Sequence, residues 1–471
     1  GTLRSTMIHP DGEIEGTIFL QGGLIMGIKS GCSRDFALWT GALVLVALAF
    51  HGGALSAQNG QHENAVTFSK DVAPIVQKSC QICHRPGSVG PFSLLSYETA
   101  RPFAPLMKEK VLAREMPPYH LDTGVGIQDI KDDWRLSDED IETIVAWVDG
   151  GALEGDPADM PAPIDWPDEQ KWQLEDILGP PDHVITSKPF DVQGAGGDTW
   201  WRPRVPTGIT EDMQIRAMET RPSFPAGRQV VHHTVSRLLR LDEEGEYQRI
   251  QALSEYAMGK VGEIVPRDAG RLLKPDDMVE FDVHYYPMGY DVPGDQVELG
   301  VWFHPEGHEA DFAQDLALYT LQGDIALAPN GTAMTQGFHR WDHPVRLDSF
   351  QPHGHVHLHG MSIQAIYPDG KQELISMVTG FDARWHHSYL YEDDKAPLLP
   401  AGTVVVLTGW YDNTNENSLT PDPEVWYSRG SRTMDEMSHA WLAVTHLDEP
   451  GYERLIAERE EKAKLVSDGG R

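Results

Sequence analysis

The sequence predicts a multidomain chain in which a small all-α domain precedes two all-β domains, each an antiparallel sandwich of jelly-roll type. Three observations predict it. At 471 residues and 40% apolar composition, the chain is long enough for about two to four compact units with real cores. Helix signals cluster before residue 152. Beyond residue 183 they give way to short alternating or β-branched runs broken by turn residues, which is the pattern of antiparallel strands.

In chain order, residues 1–57 read as an upstream segment followed by a signal peptide. Met26 opens a stretch bearing Lys29 and Arg34, the apolar run Ala37 to Phe50 follows, and Ala54, Ser56 and Ala57 offer a cleavage zone. The apolar run is shorter than a membrane span, so removal is favoured and no stable span is expected afterwards; an uncleaved anchor stays open as the alternative. Residues 1–25 read as sequence ahead of the true start. The expected destination is the periplasm or the exterior.

Of three cysteines, Cys32 falls in the signal peptide, leaving Cys80 and Cys83 for the mature chain. They stand in Cys80-Gln81-Ile82-Cys83-His84, the attachment pattern of one covalently bound haem c: two sulfurs for the two vinyl groups and an imidazole for the iron. A structural zinc site needs two further ligands, and no second cysteine pair exists. Ser69 is placed to cap a helix through Val72, Ile75 and Val76. Ser137-Asp138-Glu139-Asp140 resembles a capping box ahead of Ile141, Ile144, Val145 and Val148, with Gly150-Gly151 as the stop. Together these predict a cytochrome c-like domain over 64–152. Met116, in a Pro-Pro loop, is the preferred sixth ligand because a thioether suits an electron carrier; His120 competes with it.

Residues 153–182, rich in Pro, Asp and Gly, read as a linker. Strand-like runs follow at Val230 to Leu241, Met278 to Tyr286, Val297 to Phe303, Met361 to Tyr367 and Thr403 to Trp410. This much β pattern suits two sandwiches, expected over 183–320 and 321–447. The tail 448–471 is charged and helix-prone. A formal charge of −34 argues against nucleic acid and anionic lipid as partners, both being polyanions.

Three clusters stand out among 21 histidines: His232-His233; His284 in Val283-His284-Tyr285; and His353-Gly354-His355-Val356-His357-Leu358-His359. On a strand, His355 and His357 point to one face and converge on a metal without distortion. Adjacent His232 and His233 would point apart, so joint ligation there calls for a bulge or a strand end. Asp282 could orient a ligand, although a solvated carboxylate is the plainer reading. Trp200-Trp201 reads as packing.

With Asp435-Glu436-Met437 following them, these clusters resemble the ascorbate-dependent type II copper monooxygenases, the family of peptidylglycine α-hydroxylating and dopamine β-monooxygenases. The resemblance spans about residues 183–447 and rests on His-His, V-H-Y, H-x-H and D-E-M in that order. It implies two copper ions: an electron-transfer copper held by His232, His233 and His284, and an oxygen-activating copper held by His355, His357 and Met437. It also implies O2 and a small-molecule organic substrate, with ascorbate or a redox protein as electron donor. Imidazoles suit both copper oxidation states, and the thioether of Met437 favours Cu(I).

The chain departs from the family in three ways. The animal enzymes are disulfide-rich, whereas no cysteine is left here for a bridge. His353, His439 and Trp441 stand where the peptide-processing enzyme carries the Arg, Asn and Tyr that anchor a carboxylate, which points to a less charged, aromatic or apolar substrate. The haem motif offers a tethered electron donor at high effective concentration.

Overall fold

In this computed structural model, the described residues are 65–469, apart from 87, 89, 132, 167–170, 224–225, 258–259, 261 and 322–324. The expected upstream segment and signal peptide, residues 1–57, lie outside them.

Helices come first. Phe68–Val72 continues into Ala73–Ser79, and Ala104–Leu112 and Asp138–Asp149 pack against them. Phe68, Val76, Ile144 and Trp147 are completely buried at the centre. The last helix starts as expected, with the Ser137 hydroxyl accepting the Asp140 N–H and the Asp140 carboxylate accepting the Ser137 N–H. The first does not. Ser69 lies buried inside the opening turn, and Asp71 accepts the Thr67 N–H at 2.7 Å instead.

The expectation of a self-contained all-α domain over 64–152 needs correction. The stretch after Pro117-Pro118 leaves the helices and lies against the C-terminal strands. Leu121 bridges Val378, Ile130 bridges Tyr391, and both side chains join the C-terminal β core. The cause is composition: this stretch has no helical period, and its apolar side chains find cover only on the sheet. The expected linker is likewise partly anchored. Trp172 and Leu174 bury themselves against Ala217 and Trp302, and the Arg221 guanidinium lies 3.8 Å over the Trp172 ring.

From His183 to His446 the regular elements are strands, apart from the single helical turn Gly227–Val230. In the first half, a layer containing Met213–Pro222 and Val297–Phe303 faces one containing Val231–Leu241 and Met278–Tyr285; Ile215, Val301, Leu238 and Phe281 fill the space between. In the second half, Val345–His353 and His439–His446 face a four-stranded sheet ordered Thr332–Arg340, Val404–Asp412, Leu358–Ile366, Gln372–Thr379. Phe350, Leu442, Ile363 and Leu407 form that core. Among the described residues the strands pair antiparallel except where Phe312–Thr320 meets Ala269–Leu273, and a lone parallel bridge joins Arg429 to Glu436.

Phe312–Thr320 pairs along its length with His439–His446, from Ala313 opposite His446 to Thr320 opposite His439. One continuous sheet therefore crosses from the first sandwich to the second. The C-terminal helix Glu449–Gly469 rests on this junction through Tyr452, Leu455 and Ile456, which touch Phe312, Leu398 and Leu447.

Candidate functional site

His232, His233 and His284 come together. One ligand atom from each lies within 4.8 Å of the other two, and the rings are 5.0 to 5.2 Å apart. The adjacent pair manages this through a strand irregularity. His284 sits opposite His233 while Tyr285 sits opposite Val231, so His232 is the extra residue of a bulge. Three imidazoles converging in this way fit a copper or zinc ion.

Trp200 and Asp198 complete this group. The Trp200 indole stacks on His284 at 4.3 Å and 6° and meets His233 edge-on. The Asp198 carboxylate lies 3.2 Å from His284 Nε2 and accepts from the Thr433 hydroxyl at 3.1 Å, which ties the group to the loop bearing Met437. Asp282 turns inward to Arg202 at 2.6 Å and Arg237 at 3.2 Å, so it is an ion-paired carboxylate and not a solvated one.

His355 and His357 are not on a strand, contrary to the parity argument. Val345–His353 ends before them and Leu358–Ile366 begins after them, so both occupy the connecting turn. Gly354 is required there, because a Cβ would come within 2.6 Å of Leu358. Their backbones are held instead by Glu436, which is completely buried. Its carboxylate accepts the backbone N–H of His355 at 2.5 Å, of His357 at 2.9 Å and of Met437 at 2.8 Å. One side chain thus gathers all three expected ligand residues. His355 Nδ1 lies 3.0 Å from the Asp435 carbonyl, a bond that leaves Nε2 free to ligate. His357 is completely buried and packs on Tyr427 at 4.1 Å.

Further imidazoles join the two groups. His353 lies 5.8 Å from His355 and 6.3 Å from His233, ring to ring. His386 lies 4.9 Å from His353 and 6.1 Å from His233, and His439 stacks on His353 at 4.3 Å. Enclosure keeps them neutral. Burial first, then His284 and His386, pushes His232 down to about 4, although one side of its ring reaches solvent. Burial and neighbouring imidazoles hold His233 and His353 well below the usual imidazole value, and bring His439 down to about 3. Neutral imidazole is the form that binds metal.

In the helical region, Cys80 and Cys83 form no disulfide; burial, then the neighbouring Cys83 and Asp140, pushes Cys80 up to about 12. His84 Nδ1 lies 3.2 Å from the Phe92 carbonyl, which fixes the tautomer whose Nε2 can take an axial iron position. A Cβ on Gly90 would meet the Cys83 carbonyl at 2.7 Å and His84 Nδ1 at 2.8 Å, so the loop over the motif needs glycine there. Met116 lies half-buried in the loop after Ala104–Leu112. His120, its competitor, faces the C-terminal strands: its N–H reaches the Tyr389 hydroxyl at 3.3 Å and its carbonyl accepts from Thr379.

Sequence reasoning missed Asp198, Trp200 and His386 as members of the site. It took Glu436 only as part of a motif. None of the four carries a local pattern of its own; His386-His387 was the nearest thing to a signal.

No family model and no curated protein matches the chain. Among solved structures it is similar to the major capsid protein P2 of bacteriophage PM2, at 11% identity and TM-score 0.27, over 57% of this chain and 99% of that one. It is also similar to the PBSX exported protein XepA, at 9% and 0.17 over 49% and 86%. A third is the CBM22 tandem domain of Paenibacillus barcinonensis Xyn10C, at 10% and 0.15 over 57% and 98%. At such scores these likenesses carry no argument. What is established is a chain that is mostly β, folded into curled, jelly-roll-like sheets that bring its histidines together.

Proposed function

We propose that this chain is an exported copper-dependent monooxygenase, a cytochrome c-like domain followed by two copper-binding jelly rolls, which hydroxylates a C–H bond of a small organic substrate with O2. The observation that carries the reading is the pairing of a converged His232/His233/His284 group with His355, His357 and Met437 gathered on one buried carboxylate. Bound copper would supply one-electron chemistry and an open position for dioxygen. Overall, one oxygen atom enters the substrate and the other leaves as water, consuming two electrons and two protons. Those electrons come through the haem or from a small reductant such as ascorbate.

The chain's own residues bind and orient. His232, His233 and His284 would hold the first ion, Trp200 stacks on the His284 ring and sets its plane, and Asp198 lies 3.2 Å from its Nε2. Glu436 sets the backbone of the second ligand set, and the thioether of Met437 favours the reduced ion. Cys80, Cys83 and His84 are the residues to hold a haem, with Met116 as the sixth ligand.

The test uses the full chain matured in an exporting host, a panel of small aromatic and aliphatic substrates, and 18O2. Label should appear in the alcohol product, and Met437→Ala should abolish it with the haem spectrum unchanged. Unlabelled product, or full activity in Met437→Ala, would refute the proposal. A second reading, electron transfer or copper binding without oxygenation, is favoured by one observation: His353, His386 and His439 lie between the two ligand groups. Copper-replete protein that reduces O2 without labelling any product would support it.

A further inference from the structure

We propose that His353, His386 and His439 form a third metal site, for a borderline first-row ion of the copper or zinc class, between the two ligand groups described above. None of the three is used by the proposed oxygenation, and the site stands or falls without it.

The three side chains come from separate elements. His353 ends Val345–His353 and His439 begins His439–His446, and the two are directly paired across the sheet. His386 comes from the loop between Gln372–Thr379 and Tyr389–Leu390. The His353 ring lies 4.9 Å from His386 at 59° and 4.3 Å from His439 at 18°. The tilt of His386 on His353 is like the 62° to 80° crossings within the His232/His233/His284 group, whereas His439 is stacked face to face on His353 and must turn about its side-chain bonds to aim a nitrogen at the same ion.

Two further observations point to a ligand. His386 Nε2 lies 3.1 Å from the Ala383 carbonyl, which places the ring proton on Nε2 and leaves a lone pair on Nδ1. That Nδ1 is hidden from solvent and has no hydrogen-bond partner. His353 Nδ1 is in the same condition. A metal-ligating histidine shows this arrangement, with one nitrogen tied to a carbonyl and the other buried and waiting. Interior polar atoms without partners are costly, and an ion would satisfy both at once. An all-imidazole donor set selects copper or zinc over magnesium or calcium.

Among the described residues, only His232, His233 and His284 already hold three ligand atoms within 4.8 Å, so an ion at the new site must draw its rings closer together. It would therefore fill after the first group.

The test is anaerobic titration of the metal-free full chain with Cu(I), and separately with Zn(II), against a competing chelator. Wild type should take up three equivalents of Cu(I), and His386→Gln and His353→Asn should each take up two. A variant combining His284→Ala, His357→Ala and Met437→Ala should keep one equivalent, which is lost on adding His386→Gln. Far-UV circular dichroism of each variant checks that it folds. Two equivalents in wild type, unchanged in His386→Gln, would overturn the proposal and leave the three rings as packing only. His353→Asn decides this should His386→Gln fail to fold. An equivalent that responds to His386→Gln but not to His284→Ala or Met437→Ala would instead uphold this site while removing the ligand sets of the oxygenase.

Discussion

Glu436 concentrates more structural consequence than any other single side chain of the site. An interior carboxylate is tolerated only when its oxygens are satisfied, and here the donors are the backbone N–H groups of the three expected ligands. Glu436→Gln keeps the shape but removes the charge and turns one acceptor into a donor. It should lower stability by about 1–3 kcal/mol and weaken copper at His355, His357 and Met437 by roughly 10–100-fold, leaving the His232/His233/His284 ion unaffected. Metal titration of the variant measures both sites, and equal affinity at the two would count against this role. The buried imidazoles have their own consequence. His232 and His387 are held down to about 4 and His439 to about 3, each chiefly by burial, whereas unfolded histidine titrates near 6.5. Between those limits the unfolded chain binds more protons, so metal-free stability is fully present above the unfolded value and is lost as pH falls toward 4. Urea midpoints of metal-free protein on either side of that window should differ in this direction; a flat profile would mean the rings are solvated. The candidate ligand residues were legible as residues because imidazole and thioether are chemically pointed. Asp198 and Glu436 were not, because any of 72 acidic residues looks alike until the fold chooses one.

At the scale of elements, the same sequence logic succeeds once and fails once. The argument that adjacent His232 and His233 need a bulge or a strand end holds, because a regular strand aims neighbours at opposite faces, and the register shift lies there. The argument that His355 and His357 converge by strand parity fails, because Gly354 and Glu436 shape a turn instead. A turn held by a residue some eighty positions away leaves no trace in local periodicity. The stretch after Pro117-Pro118 was hidden for a related reason: its partners, Val378 and Tyr391, are far along the chain. Leu121→Ala and Ile130→Ala each remove a side chain that is at most 6% exposed, and each should cost about 2–5 kcal/mol. Local release would also expose this stretch to proteases before the sandwiches unfold. Limited proteolysis followed by mass spectrometry should find earlier cleavage between residues 117 and 135 in both variants; cleavage at the wild-type rate would show that the contact holds nothing down.

Across the whole molecule, the order of elements was legible but their fusion was not. Helices first and strands after follows from hydrophobic period alone, and so does the size of two sandwiches. What period cannot show is that Phe312–Thr320 carries one sheet into the other sandwich, or that the helical region is pinned to the second one. Under the proposed function, pinning matters for electron supply. The loop leading on from Met116 places the Tyr119 ring 5.9 Å from His387, the neighbour of His386, which in turn lies 6.1 Å from His233. A donor held in this way needs no diffusional encounter, and its effective concentration is set by the fold rather than by the solution. Under the proposed function, mixing reduced-haem protein with its copper sites oxidised should therefore give haem oxidation at a first-order rate. That rate should not change with protein concentration and should be little affected by salt, whereas docking between separate, strongly charged molecules is salt-dependent. Stopped-flow spectroscopy at several dilutions measures it. A rate that rises in proportion to concentration would place the electron transfer between molecules and deprive the pinned helical region of this role.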